Sequence, residues 1–423
     1  MRQDKSGVFF RRINATKFKT TKISVTLLAP LARETAAGYA VLPGLLSRSC
    51  AKYPDFTALK RKLAMLYGAS VSGSAVAQGD AHAITLSISA LDDRYAISGG
   101  NISGECAELL CEMLFNPNLA NGFFPYDDVE AEKRQLSELI EAQQNDRVSY
   151  AMQRCVEEMC GGEPHGVNPL GTVDTVNALT PQSVTEAWRK LMSTARVEVI
   201  ATGNMDVGKV ERSIREAFGR RGGYAPLPPN IVLSPRKEVN EHTETVSASQ
   251  SKLVLGYRTS ISNQSGDPFA ARMMCECLGG AFSSRLFLNV REKLSLCYYC
   301  NSVYNRQKGL LFIQSGLERR HVGRAREEIT AQIKYIQNGN LTDEEIGNAR
   351  LSVKDGFLSR NDSIFGLDSW YRSQFLSDEI LSPEEAVRRI MSITPEQIAE
   401  AARTFTLDTA YLLTGEEQTN ENQ

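Results

Sequence analysis

Apolar positions along the chain follow two periods, and the order in which the periods appear is used twice. In the first half a β-branched run, TTKISVTLLAP, predicts a strand. Helical spacing follows at AAGYAVLPGLLSRSC and FTALKRKLAMLYG, and then strand-like runs at ASVSGSAVAQ and HAITLSISA. The second half opens on the strand-like SKLVLGYRTS, passes through a helical FAARMMCECLGG and the segment FSSRLFLNVREK, and reaches strands at YYCNSVYN and GLLFIQSGL. Each half then turns helical, at GECAELLCEMLF and residues 125–160 in the first, and at HVGRAREEITAQIKYIQ and TDEEIGNARLSVKDGFLSR in the second. Over 125–160, Val129, Leu136, Ile140, Val148, Met152, Cys155 and Met159 fall near one stripe, with a polar QQND between, which predicts a single bent, core-facing helix.

Both halves close alike. TPQSVTEAWRKLM precedes RVEVIATG, and TPEQIAEAARTF precedes DTAYLLTG; in each, Thr-Pro offers an N-cap and a proline at the first helical position. Between the halves, GRRGGYAPLPPNIVLSPRKEVNEH has Gly and Pro but no apolar period and predicts a linker. The expected organisation is α+β, with a first domain over 1–220, a linker over 221–243 and a second domain over 244–423.

Composition removes several classes of function. With 423 residues, 42% hydrophobic and 23% charged, the chain can bury large cores. Net charge is −2 and no basic cluster is interleaved with aromatics, so nucleic acid is not an expected partner. The N-terminal stretch has no apolar h-region, and no run approaches the roughly 18 apolar residues of a membrane span, so a cytoplasmic location is expected. Most of the nine cysteines, including Cys106, Cys111, Cys155, Cys160, Cys275 and Cys277, sit in apolar stretches and are expected to be reduced, buried thiols. No C-x-x-C pair is read as a zinc ribbon or redox site, and Cys275-x-Cys277 is too close for a metal knuckle.

The usual chemical motifs are also missing. His82, His165, His242 and His321 show no helical pairing with a carboxylate of the kind a catalytic zinc uses. There is no G-x-S-x-G elbow, and no glycine pair is followed by G-K-[ST]. What remains is GGAFSSRLFLNVREKLSLCYY at 279–299, which sets Arg291 and Tyr298 seven residues apart behind a small-residue turn. A guanidinium and a phenol hydroxyl are both strong donors, suited to a peptide carbonyl or a tetrahedral oxyanion. The alternative is an Arg in a helix-end ion pair and a Tyr in the sheet core.

That string resembles the pitrilysin or insulinase family of metallopeptidases: Gly279 and Gly280, Ser284 to Phe287, Arg291 to Lys293, Leu296 and Tyr298 stand where the family has a Gly-rich turn, Ser-Arg-Leu-Phe, Arg-Glu-Lys, Leu and Tyr. GEPHGVNPLGTVDTVNALTPQSV is similar to a second family loop, and VEVIATGNMD to its closing strand. The resemblance implies two homologous α/β-sandwich halves, each a mixed sheet covered by helices, together half of a clamshell chamber. Active members carry H-x-x-E-H on the first helix. In the matching GYAVLPGLL, Val41, Gly44 and Leu45 stand at the first His, the Glu and the second His. None can bind Zn²⁺ or take a proton from metal-bound water, so no metal is expected in this chain. The third ligand position falls on Leu139, or on Glu138 with a one-residue slip; Glu132, Glu138 and Glu141 are expected to form a solvated helix face.

Arg291 and Tyr298 are, by the same resemblance, the substrate-gripping and oxyanion-stabilising half of a peptidase site. The chain is expected to be the non-catalytic, substrate-binding subunit of a heteromeric peptidase. A paralogous H-x-x-E-H chain would hold the zinc and be the heterodimer partner, with a peptide as substrate. The alternatives are a pseudo-peptidase scaffold that binds a peptide or protein without proteolysis, and an autonomous metallopeptidase with unusual ligands.

Overall fold

In the computed structural model, which describes residues 7–219, 221, 223–247 and 249–415, the doubled sequence pattern becomes two five-stranded sheets of matching topology. The first contains β1 (Val8–Ile13), β2 (Thr20–Pro30), β3 (Ser70–Gln78), β4 (Ala81–Leu91) and β5 (Arg196–Thr202) in the order β1-β5-β2-β4-β3. Only the β1–β5 pair is parallel; Val25 on β2 faces Leu86 on one side and Val199 on the other. The second contains β6 (Asn240–Thr245), β7 (Ser251–Arg258), β8 (Tyr299–Asn305), β9 (Leu310–Leu317) and β10 (Thr406–Thr414) in the order β6-β10-β7-β9-β8, with β6–β10 parallel and Leu255 between Ile313 and Ala410. The sheets are mixed and helix-covered, as expected.

Eight of these strands follow from the apolar pattern. β1 and β6 do not, and they hold the same place at the edge of their sheets. No residue of β6 is fully buried, and the strand starts inside the stretch assigned to the linker. An edge strand with one solvated side has no need of an apolar signature.

The stripe over 125–160 divides where the sequence predicts one bent helix. Asp146 caps a new helix by accepting from the Val148 N–H at 3.1 Å, so Tyr126–Asn145 and Arg147–Met159 are separate. Val129, Leu136 and Ile140 of the former join the core under the first sheet. Ala151, Cys155 and Met159 of the latter pack with Val254, Phe312 and Tyr411 of the second sheet. One hydrophobic stripe thus serves two cores, which periodicity alone does not reveal.

Two compact units result, one of Met1–Ala142, Val167–Pro229 and Arg360–Phe375, the other of Gln143–Gly166, Asn230–Ser359 and Leu376–Gln423. Within the second unit, Glu163 lies 2.6 Å from Arg258 and 2.9 Å from Lys308, and Arg258 also meets Asp408 at 3.3 Å. All four side chains are buried, so the segment after helix Arg147–Met159 is held by a shared ion cluster. The Thr-Pro caps form as expected: Thr180 pairs reciprocally with Ser183 and Thr394 with Gln397, each followed by proline. Substitution of such caps by Ala typically costs about 1 kcal/mol. Among the described residues no helix is long and apolar enough to cross a membrane.

Candidate functional site

The degenerate motif lies on the connection from β2 to β3. Helix α1 (Arg33–Ala40) ends at Val41, which keeps helical angles, and α2 (Leu42–Arg48) continues with Pro43 in its first turn. Pro43 has no N–H to carry the hydrogen-bond ladder through the junction, so the helix is interrupted there. Val41 is 2% and Leu45 3% exposed, both in the first core. Gly44 is the informative position: a Cβ built there would fall 1.9 Å from Oε2 of Glu132. A carboxylate from the helix Tyr126–Asn145 therefore already fills the space of any side chain at 44.

Glu132 departs from the expected solvated face. Its carboxylate is 2.7 Å from Nη1 of Arg48, whose Nε meets Asp128 at 3.1 Å, and its side chain is only 12% exposed. Burial is the largest influence on it and raises its pKa above the ordinary value, with Arg48 opposing. Glu138 and Glu141 do face solvent, and Leu139 is exposed. Among the described residues no three His, Cys, Asp or Glu side chains converge as metal ligands would.

The second unit presents the other candidate. Gly279 allows the turn before it to close against β8, since a Cβ there would be 2.7 Å from the Ser302 backbone nitrogen. The chain then forms a wide-turn π-helix over Leu286–Lys293, burying Leu286 and Val290 and leaving Arg291, Glu292 and Lys293 toward its outer end. It leaves this helix through Ser295, whose φ of 49° is in the left-handed region. A side chain there is strained, since this is a conformation that glycine adopts at little cost and other residues rarely do. Leu296 is buried, and the Tyr298 N–H donates to the Gly316 carbonyl at 2.8 Å, fixing the backbone to β9.

The side chains point the other way. Tyr298 is 52% exposed, and its hydroxyl makes no hydrogen bond among the described residues. Arg291 lies over the Phe287 ring at 4.6 Å, with Nε 3.6 Å from its neighbour Glu292. The core-tyrosine alternative is thereby excluded, and the ion pair is a loose contact between adjacent residues. Phe282, Leu288 and Val303 are also exposed in this unit. A guanidinium, a free phenol and apolar surface can together engage an extended peptide.

One feature of this segment escaped sequence reasoning. Cys297 and Cys300 are spaced C-x-x-C on either side of Tyr298 and Tyr299, where no such pair was expected to matter. The spacing itself is the sequence signal. All nine cysteines are free thiols and seven are buried; Cys111, expected to be buried, is partly exposed.

Comparison with known proteins agrees with this anatomy. Residues 178–353 match the family model described as Peptidase M16 inactive domain. The chain is 29% identical to "Probable inactive metalloprotease YmfF" of Bacillus subtilis (strain 168), over 97% of this chain and 96% of that protein. A conserved protein from Enterococcus faecalis V583 has a similar structure, with a TM-score of 0.90, 25% identity and 98% of each chain covered. The peptidase M16 inactive domain from Pseudomonas fluorescens shares the fold, with a TM-score of 0.79 at 18% identity over 99% of this chain and 98% of that one.

Proposed function

The chain is a homologue of the M16, pitrilysin-type, peptidases without the H-x-x-E-H motif, and we propose that it is the substrate-binding subunit of a heteromeric zinc peptidase. The observation that carries this reading is the Tyr298 hydroxyl, exposed and without a protein partner, on the unit that also presents Arg291. A paralogous chain bearing H-x-x-E-H supplies zinc and general base. In such a complex Arg291 would bond a backbone carbonyl of the peptide and Tyr298 would donate to a developing oxyanion, while the partner's zinc would supply the activation of water. Neither group performs hydrolysis without the metal centre.

Purification from the native cell tests the proposal. The expected result is co-purification with an H-x-x-E-H chain, zinc in proportion to that chain, and peptide hydrolysis by the mixture but by neither chain alone. Hydrolysis by this chain alone, or a stable complex that contains no zinc-motif chain, overturns it; the second result would favour a peptide-binding scaffold.

A further inference from the structure

A cleft of about 640 Å³ opens in the helical layer of the first unit, between the helices Ile102–Phe115, Pro181–Thr194 and Val207–Phe218. Its volume is that of a small-molecule site, for which about 300–1,000 Å³ is usual. Phe115 of the first helix meets Phe218 of the third edge to face at 4.7 Å, which fixes the Phe115 ring in the wall. Trp188 enters from the second helix, its indole N–H donating to the Leu114 carbonyl at 2.9 Å. With that donor satisfied, the indole offers the cleft only apolar and π surface. Met192 and Ala217 extend this apolar lining.

The charged groups around this surface differ in what they already hold. Arg189 donates to the Gly122 carbonyl at 2.9 Å and Arg221 to the Ala195 carbonyl at 2.7 Å, so both guanidinia are tied to backbone. Glu112 accepts from Nδ2 of Asn116 at 2.8 Å. Glu108 and Glu216 are different: they are exposed, lie on two helices in contact with each other, and among the described residues accept no hydrogen bond and form no ion pair. The cleft's unused hydrogen-bonding capacity is therefore that of carboxylate acceptors, and its carboxylates outnumber its guanidinia. The Cys111 thiol in the same wall feels both properties, since burial first and the Glu108 charge second push it up to about 12.

We propose that this cleft binds a small organic cation, an ammonium group on an aromatic or long aliphatic body, with the body against Trp188, Phe115 and Met192 and the ammonium at Glu108 and Glu216. An alkylammonium stays protonated at neutral pH and brings only donors, which is what two unpaired carboxylates can use. The Trp188 face adds attraction for a nearby cation that an uncharged ligand would not receive. An anion on the same body fits badly, because it would approach the carboxylates while both guanidinia are held by backbone carbonyls. The cleft uses no residue of the 41–45 corner or of the Arg291–Tyr298 segment, so the site does not depend on the peptidase reading.

The test is calorimetric titration of the full-length chain with phenylbutylamine and, separately, with phenylbutyrate, which have similar bodies and opposite charges. The amine should bind at one site per chain, on the order of 10-fold more tightly than the acid, and more weakly as salt is raised. Glu108→Gln combined with Glu216→Gln should weaken the amine by about the same 10-fold, because each carboxylate contributes the modest energy of a part-exposed ion pair. Glu186→Gln should leave the affinity unchanged: it removes an exposed carboxylate from the helix Pro181–Thr194 that does not line the cleft, and so separates a local site from general attraction to an acidic surface. Both glutamines replace exposed side chains without partners, and equal urea midpoints for variant and parent check that the fold is kept. Equal affinity for amine and acid, no saturable binding of the amine, or a double variant that binds the amine as the parent does overturns the proposal.

Discussion

The two units handle the same corner of their fold in opposite ways. In the first, the connection from β2 to β3 carries Val41 and Leu45 into the core and lays Glu132 over Gly44. In the second, the matching connection from β7 to β8 opens into a π-helix, passes a strained Ser295 and leaves Arg291 and Tyr298 outside. Burying an apolar side chain contributes about 1.5–3 kcal/mol, so the first corner now serves stability. Among the described residues the Tyr298 hydroxyl has no hydrogen-bond partner, and the Arg291 guanidinium makes only surface contacts with Phe287 and Glu292. Polar groups that do no folding work, held on a fixed backbone, are the natural place to look for recognition.

The largest expected effect comes from reopening the closed corner. Val41→His with Leu45→His removes two buried apolar side chains and buries two imidazoles where no partners are prepared, which should destabilise the protein by roughly 3–5 kcal/mol. Urea titration would show the loss as a lower midpoint, and metal analysis should find no stoichiometric zinc. A variant that keeps the parent midpoint and takes up zinc would mean the corner is still a latent metal site.

Next in size is an acid effect from the same unit. His82 on β4 is fully buried, its ring 6.0 Å from Tyr39 of α1, and neither ring nitrogen has a hydrogen-bond partner. Burial lowers its pKa from 6.5 to about 4. Because the unfolded chain takes up the proton first, stability is full above about 6.5 and is lost as pH falls toward 4, by about 3 kcal/mol. His82→Phe should remove that part of the slope in denaturant midpoints measured from pH 7 to 4. An unchanged slope would show that His82 is not neutral in the folded state.

The open corner is tested through the heteromeric complex. Tyr298→Phe should cut turnover on the order of 10²-fold, about 2.7 kcal/mol in barrier, with assembly intact, because only the oxyanion donor is lost. Arg291→Ala should mainly raise KM, since a guanidinium on a ground-state carbonyl binds substrate and transition state alike. If both variants keep the parent kcat and KM, the exposed pair has no part in catalysis and the contrast between the corners is one of packing alone.

Much of this was legible in the sequence, and the failures share a cause. The doubled strand order, the Thr180 and Thr394 caps and the apolar replacements at 41 and 45 are local signals, and the structure keeps each of them. What the sequence concealed depends on partners distant in the chain. The stripe over 125–160 gives no sign that Met159 and Val129 enter different cores, and β6 is a strand only because β10 lies beside it. Likewise, a charged residue on a helical face reads as solvated until another helix is seen to cover it, and Glu132 is that case.

Glu132 also supplies the smallest and most discriminating expectation. Burial is the first influence on its carboxylate and raises its pKa, so the folded protein holds that proton more tightly than the unfolded chain does. Stability contributed by this group therefore falls as pH rises through the window just above 4.5, the opposite sign to an ion pair that stabilises its carboxylate. Glu132→Gln keeps the shape over Gly44, loses the charge attraction to Arg48 and escapes the desolvation penalty. The two changes nearly cancel, so the variant should lie within about 1 kcal/mol of the parent at pH 7 and show a flatter profile as pH rises above 4.5. A loss well beyond that at neutral pH would mean that the Arg48 pair, rather than the apolar filling by Val41 and Leu45, keeps the first corner shut, and the double-histidine variant would then need Glu132 removed as well before the corner could open.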